Sequence, residues 1–268
     1  MIPHAKASST ERHRWERAIA PLLQAPADAL WRAHSDAVNA GLLARWLPAE
    51  TALRALKTDL FDEAMGDGLY PLLEARARHV AALDLAPSAL AAAVSRYPKL
   101  LATSADVRRL PFASATFDIV VSNSTLDHFE SHDEIIAALR ELHRVLRRHG
   151  HLLLTMDNLA NPVIAIRNAL PFRLLHRMGL VPYTVGVTWG PRRMRRMLAQ
   201  LGFEVLETEA LLHCPRVLAV PLARRIQRRA DAGSQARFLR RLRRWECLAA
   251  LPTRFLTGYF IGVSARKK

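Results

Sequence analysis

Through the middle of this chain, apolar runs of strand length alternate with amphipathic helical stretches, and that alternation limits the fold more than any other feature. Residues 56–61, 79–85, 117–123 and 151–155 have strand character. Helical patterns occupy residues 69–77 and 133–146 between them. Such a succession builds an α/β domain on a mostly parallel sheet. The first strand leads into Asp62-Glu63-Ala64-Met65-Gly66-Asp67-Gly68, an acid followed by two glycines, and the second ends near Asp84. Strand, glycine-rich turn, helix and a strand with a terminal carboxylate form a nucleotide-binding unit. The glycines admit a ligand to the backbone and the carboxylate accepts ribose hydroxyls. Lys57, Thr58 and Asp59 are out of keeping with the near-continuous apolarity of a buried parallel strand.

Further motifs follow in order. Residues 104–112 include Asp106-Val107, the fourth strand runs through Ser122-Asn123, and the 133–146 helix ends at Arg147-Arg148-His149-Gly150. Cations there suit the helix dipole and the glycine makes the turn into the next strand. Together these segments resemble the ordered motifs of class I S-adenosylmethionine-dependent methyltransferases, closest to the small-molecule branch typified by quinone biosynthesis. The resemblance covers residues 50–160, with support from 202–205 and 258–265. It implies a Rossmann-like, seven-stranded, mostly parallel sheet flanked by helices, its last strand antiparallel.

S-adenosyl-L-methionine is the implied cofactor. Asp62, Ala64, Gly66 and Gly68 would hold its methionine end, Asp84 its ribose, and Asp106 and Val107 its adenine. Ser122 and Asn123 would line the ligand edge of the fourth strand. Ala64 stands where the family has glycine, and Glu63 where it has an apolar residue. Beyond the fourth strand, Asp127 or His128 would serve as a base toward a substrate hydroxyl; His has a pKa near neutrality. The alternative for His128 is packing over the cofactor or capping the following helix.

Residues 1–50 read as a helical cap, packing on the sheet or closing as a lid. Residues 51–268 read as the methyltransferase domain, with inserts at 157–190 and 213–257. No apolar run approaches the ~18 residues of a membrane span, and the two cysteines, Cys214 and Cys247, lack metal-ligand spacing. The chain therefore reads as cytoplasmic. Net charge is +15. Ten arginines and one acid, Asp231, lie between positions 216 and 244, where Phe238, Leu239, Leu242 and Trp245 mark a basic amphipathic helix. Its cations fit a solvated face, an anionic membrane surface or, less well, nucleic acid. The expected activity is methyl transfer to a small, lipophilic acceptor. The alternatives are an RNA methyltransferase, disfavoured because Ser122-Asn123-Ser124-Thr125 lacks an Asn-Pro-Pro-Tyr-type motif, and a non-catalytic cofactor-binding module at a membrane surface.

Overall fold

A computed structural model describes residues 9–24, 28–49, 53–177 and 185–268. Seven strands form one sheet: β1 (Leu53–Lys57), β2 (Ala77–Asp84), β3 (Leu101–Ser104), β4 (Phe117–Asn123), β5 (Leu146–Asp157), β6 (Phe203–Leu211) and β7 (Phe260–Lys267). Their order is β3-β2-β1-β4-β5-β7-β6. The first five run parallel, and β7 is antiparallel to both β5 and β6. This is the expected Rossmann-like arrangement. Its strand order reverses between β1 and β4, where open α/β sheets place their ligands.

Twelve α-helices are described: α1 (Ser9–Gln24), α2 (Ala29–Trp46), α3 (Phe61–Met65), α4 (Tyr70–Glu74), α5 (Pro87–Arg96), α6 (His132–Val145), α7 (Pro162–Ala169), α8 (Phe172–Arg177), α9 (Pro191–Gln200), α10 (Arg216–Arg229), α11 (Ala232–Arg244) and α12 (Arg254–Thr257). One sheet face buries Leu56, Val120, Leu152 and Leu154 against Leu139 and Leu142 of α6. The other buries Ala55, Val121 and Leu153 beneath Leu42, Leu43 and Trp46 of α2. Helix α6 begins with a reciprocal Ser131–Glu134 capping box, which fixes where the chain leaves the β4 end of the sheet.

Several boundaries differ from the sequence expectation. The first strand ends at Lys57, and Phe61 opens α3 instead of closing a strand over 56–61. The Asp84 carboxylate takes the Leu60 amide at 3.0 Å, drawing the chain out of the ladder. The 133–146 helix ends at Val145, and β5 starts at once, with Leu146 paired to Phe117. Residues 147–150 are thus strand, not a helix terminus with a glycine turn. The irregularity falls on His149, with φ +63°. The insert expected over 157–190 holds two helices, α7 and α8, broken before Phe172; residues 178–184 lie outside the described residues.

The 213–257 insert holds α10, α11 and α12. Helix α11 is the basic amphipathic helix expected there, but its apolar face is covered. Phe238 and Leu242 are buried against Leu30 and Trp31 of α2 and Ala219 and Ala223 of α10. That face is therefore not available to a bilayer. Trp245 follows the helix and is about half exposed. Among the described residues, no helix is long and apolar enough to cross a membrane.

Candidate active site

The out-of-place polar end of β1 is the foundation of the site. Lys57 is fully buried, its ammonium 2.9 Å from Glu63 Oε2 and 3.0 Å from Asp59 Oδ1, with a further bond to the Asp59 carbonyl at 2.9 Å. Burial alone would depress the lysine pKa. The two carboxylates outweigh that and hold it above its ordinary value. The other Glu63 oxygen accepts the Leu69 and Tyr70 amides at 2.8 and 3.1 Å. One buried ion triad thereby joins the end of β1, α3 and the start of α4.

Above it lies a cleft of about 290 Å³. The sheet side supplies Thr58, Asp59, Asp62, Asp84 and Asn123, and the roof is formed by Trp15 and Ile19 of α1 with Trp31, Ser35 and Asp36 of α2. Asn123 donates to Asp62 Oδ2 at 3.1 Å and accepts from the Thr155 hydroxyl at 2.6 Å, fixing its amide. Arg32 lies 4.4 Å over the Phe61 ring and 4.0 Å from Asp62. Asp36 is pushed up to about 7 by burial, reinforced by the charges of Asp62 and Glu63. Burial likewise raises Asp59 to about 7, with Lys57 opposing.

The sequence-derived candidates separate into two groups. Asp62, Asp84, Asp106, Val107, Asn123 and His128 line the cleft. Asp84 accepts the Leu60 and Ala86 amides at 3.0 and 2.8 Å, and the carboxylate keeps lone-pair capacity for a ligand hydroxyl. Asp106 is clasped by Arg108, which also reaches Glu11 on α1 and Glu134 on α6. The His128 ring stands edge-on to Trp15, centroids 5.0 Å apart.

Ala64, Gly66, Gly68, Ser122 and Asp127 do not line this cleft. Ala64 packs with Ile19, Ala86 and Ala89. At Gly68, φ is +59° and a Cβ would lie 2.5 Å from Glu63 Oε1; at Gly66 a Cβ would lie 3.2 Å from Asp36 Oδ2. The two glycines thus make room for the chain's own carboxylates, where a ligand-cradling turn was expected. Ser122 accepts from Thr58 at 3.0 Å. Asp127 is buried and accepts the Asp157 amide at 2.9 Å and the Ser124 hydroxyl at 3.1 Å.

Sequence reasoning passed over Thr58, Asp59 and Asp36 as cleft residues. The Lys57-Thr58-Asp59 run was the signal for the first two, since polar groups ending an otherwise apolar strand require partners. Asp36 sits on a helix whose pairing with α3 no local pattern reveals.

A protein-family model described as a methyltransferase domain matches residues 61–154, from the start of α3 through most of β5. Those residues resemble a methyltransferase domain. A curated relative from Mycobacterium tuberculosis, described as a probable S-adenosylmethionine-dependent methyltransferase, is 32% identical over 108 residues. The match takes in 40% of this chain and 38% of the relative, so the chain spans well under half the length of the curated relatives it matches.

Among solved structures, the chain is similar to Haemonchus contortus phosphoethanolamine N-methyltransferase 2 in complex with S-adenosyl-L-methionine. The TM-score is 0.56 at 18% identity, over 85% of this chain and 52% of that one. It is equally similar to the 4+2 cyclase SpnF, with TM-score 0.56 at 16% identity over 85% and 79% of the two chains. Likeness at that identity shows a shared fold, and the cyclase illustrates that one fold hosts different reactions.

Proposed function

We propose that this domain transfers the methyl group of S-adenosylmethionine to a small acceptor with an apolar body, seated under α1 and α2. The observation that carries the reading is Asp84, a carboxylate ending β2 within the matched segment and opening on the same cleft as Asn123 and His128. The residues present fit the cofactor: Asp84 would hold the ribose, the Asp106–Val107 loop the adenine, and the acids Asp59 and Asp62 of the sheet side with Asp36 of the roof a cationic methionine end. When bound, the cofactor supplies an electrophilic methyl group on a sulfonium that leaves as a neutral thioether.

This chain's residues then orient the partners and exclude water. Trp15, Ile19 and Trp31 form the apolar roof. His128, held edge-on by Trp15, is the candidate to take a proton from the acceptor. Asp127 is dropped from that role because its carboxylate serves the Asp157 amide. Residues 1–50 act as the cap in this reading. Helix α1 is latched by Glu16 to Ser88 at 3.0 Å and by Glu11 to Arg108, spanning the expected adenine side.

Calorimetry with S-adenosylmethionine and S-adenosylhomocysteine tests the cofactor assignment. Asp84→Ala should weaken both by roughly 1.5–3 kcal/mol, the scale of a hydrogen bond to a charged group. Unchanged affinity in that variant would refute the ribose role. Transfer of labelled methyl to a panel of small hydroxyl, amine and thiol acceptors tests turnover, and binding without turnover would favour the non-catalytic alternative.

A further inference from the structure

The cleft has two ends. Asp84 and Asp106 lie at the ends of β2 and just past β3, on one side of the strand-order reversal. Leu212, Arg216 and Phe260 line it from the β6–β7 side, beyond β4 and β5. Cations reach the cleft at several points, and most are already committed. Arg14 is paired with Glu130, Arg108 with Asp106, Glu11 and Glu134, and Arg224 with Asp28 at 2.9 Å. Arg32 has Asp62 and the Phe61 face.

Arg216 differs. Among the described residues no carboxylate lies within 4.0 Å of it. The acids that feel its charge, Asp28 and Asp157, are bound by Arg224 and Arg167. Its guanidinium sits 5.0 Å from the centroid of Tyr259 and 5.8 Å from that of Trp31. Two rings thus hold a half-buried, planar cation against the wall, leaving its donor fork without an anionic partner. A guanidinium in that setting matches a carboxylate or phosphate in two parallel hydrogen bonds, and partial burial strengthens the pairing.

We propose that Arg216 is a specificity-determining residue that binds an anionic group, carboxylate or phosphate, on the methyl acceptor. The inference rests on the methyl-transfer reading and names the acceptor class: an apolar body against Leu212, Phe260 and Trp31, with an acidic group on Arg216. The competing ligand for this guanidinium is the cofactor's own carboxylate.

The test uses the full chain saturated with S-adenosylhomocysteine and three probes of similar size: benzoate, phenyl phosphate and neutral benzyl alcohol. Binding is read by ligand-observed NMR titration. At least one anionic probe should bind the wild type about tenfold more tightly than benzyl alcohol, or ~1.4 kcal/mol. Which of the two it is distinguishes carboxylate from phosphate. Arg216→Gln should abolish that preference and Arg216→Lys should keep part of it, while both variants retain wild-type affinity for S-adenosylhomocysteine. Equal affinities for charged and neutral probes, a preference that survives Arg216→Gln, or no probe binding at millimolar concentration would each overturn the proposal. So would a loss of S-adenosylhomocysteine affinity in Arg216→Gln, which would assign the residue to the cofactor. Failure of the wild type to bind S-adenosylhomocysteine would strike the methyl-transfer reading instead.

Discussion

Lys57 ends a parallel strand in the interior because both of its neighbouring carboxylates come within 3.0 Å, and one of them is Glu63, where the family has an apolar residue. Removing one partner of a buried pair is costlier than the pair's own net contribution. Lys57→Met should therefore destabilise the fold by about 3–5 kcal/mol in denaturant melts, because Glu63 is left buried without its cation. Ala64 calls for a different expectation. Its methyl group meets Ile19, Ala86 and Ala89, not the cleft. Ala64→Gly should leave S-adenosylmethionine affinity unchanged in calorimetry while lowering stability by ~1 kcal/mol, the helical cost of glycine. A gain in affinity would show that the methyl group does face the ligand.

At the scale of elements, α2 and the β1–α3 connection bring Asp36, Asp59 and Asp62 together, and two of these acids are raised to about 7. The folded state thus holds protons that the unfolded chain releases near its ordinary carboxylate pKa, about 4. Their contribution to stability is complete below that value and is lost as pH rises through about 7. Melts of the ligand-free protein should show this decline.

Binding of the cationic cofactor should run the other way and strengthen as these carboxylates ionise. Binding of its uncharged-sulfur product should change less. A ratio of the two affinities that does not vary between about pH 6 and 8, about one unit either side of that pKa, would remove these acids from the cofactor site. The strands β2 and β4 were legible because apolar runs bounded by turns mark them, whereas the antiparallel pair at the sheet edge was implied by the family resemblance. The early end of β1 and early start of β5 were not legible, because Asp84 on the Leu60 amide and Leu146 opposite Phe117 decide them across the sheet. Local pattern marked Asp84 and Asn123, which line the cleft, and equally Gly66 and Gly68, which do not and which lie against the side chains of Asp36 and Glu63.

Over the whole molecule, the +15 charge is largely an arginine surface on α9, α10 and α11, laid over helices that complete the core. Leu242 is buried between α2 and α10, so Leu242→Ala should cost about 2–5 kcal/mol in a denaturant melt, the range for a leucine truncated in a core. Loss of vesicle binding without loss of stability in that variant would contradict the packing described for α11. The insert that carries α10 and α11 leaves β6 and returns at β7, while the sheet pairing of β7 is complete between β5 and β6 without it. Its length and contents can consequently drift over evolutionary time with little penalty to strand register. On the proposed reading, a lineage could exchange Arg216 and its surroundings for another wall, retuning which acceptor is held while inheriting the Asp84 half of the cleft intact.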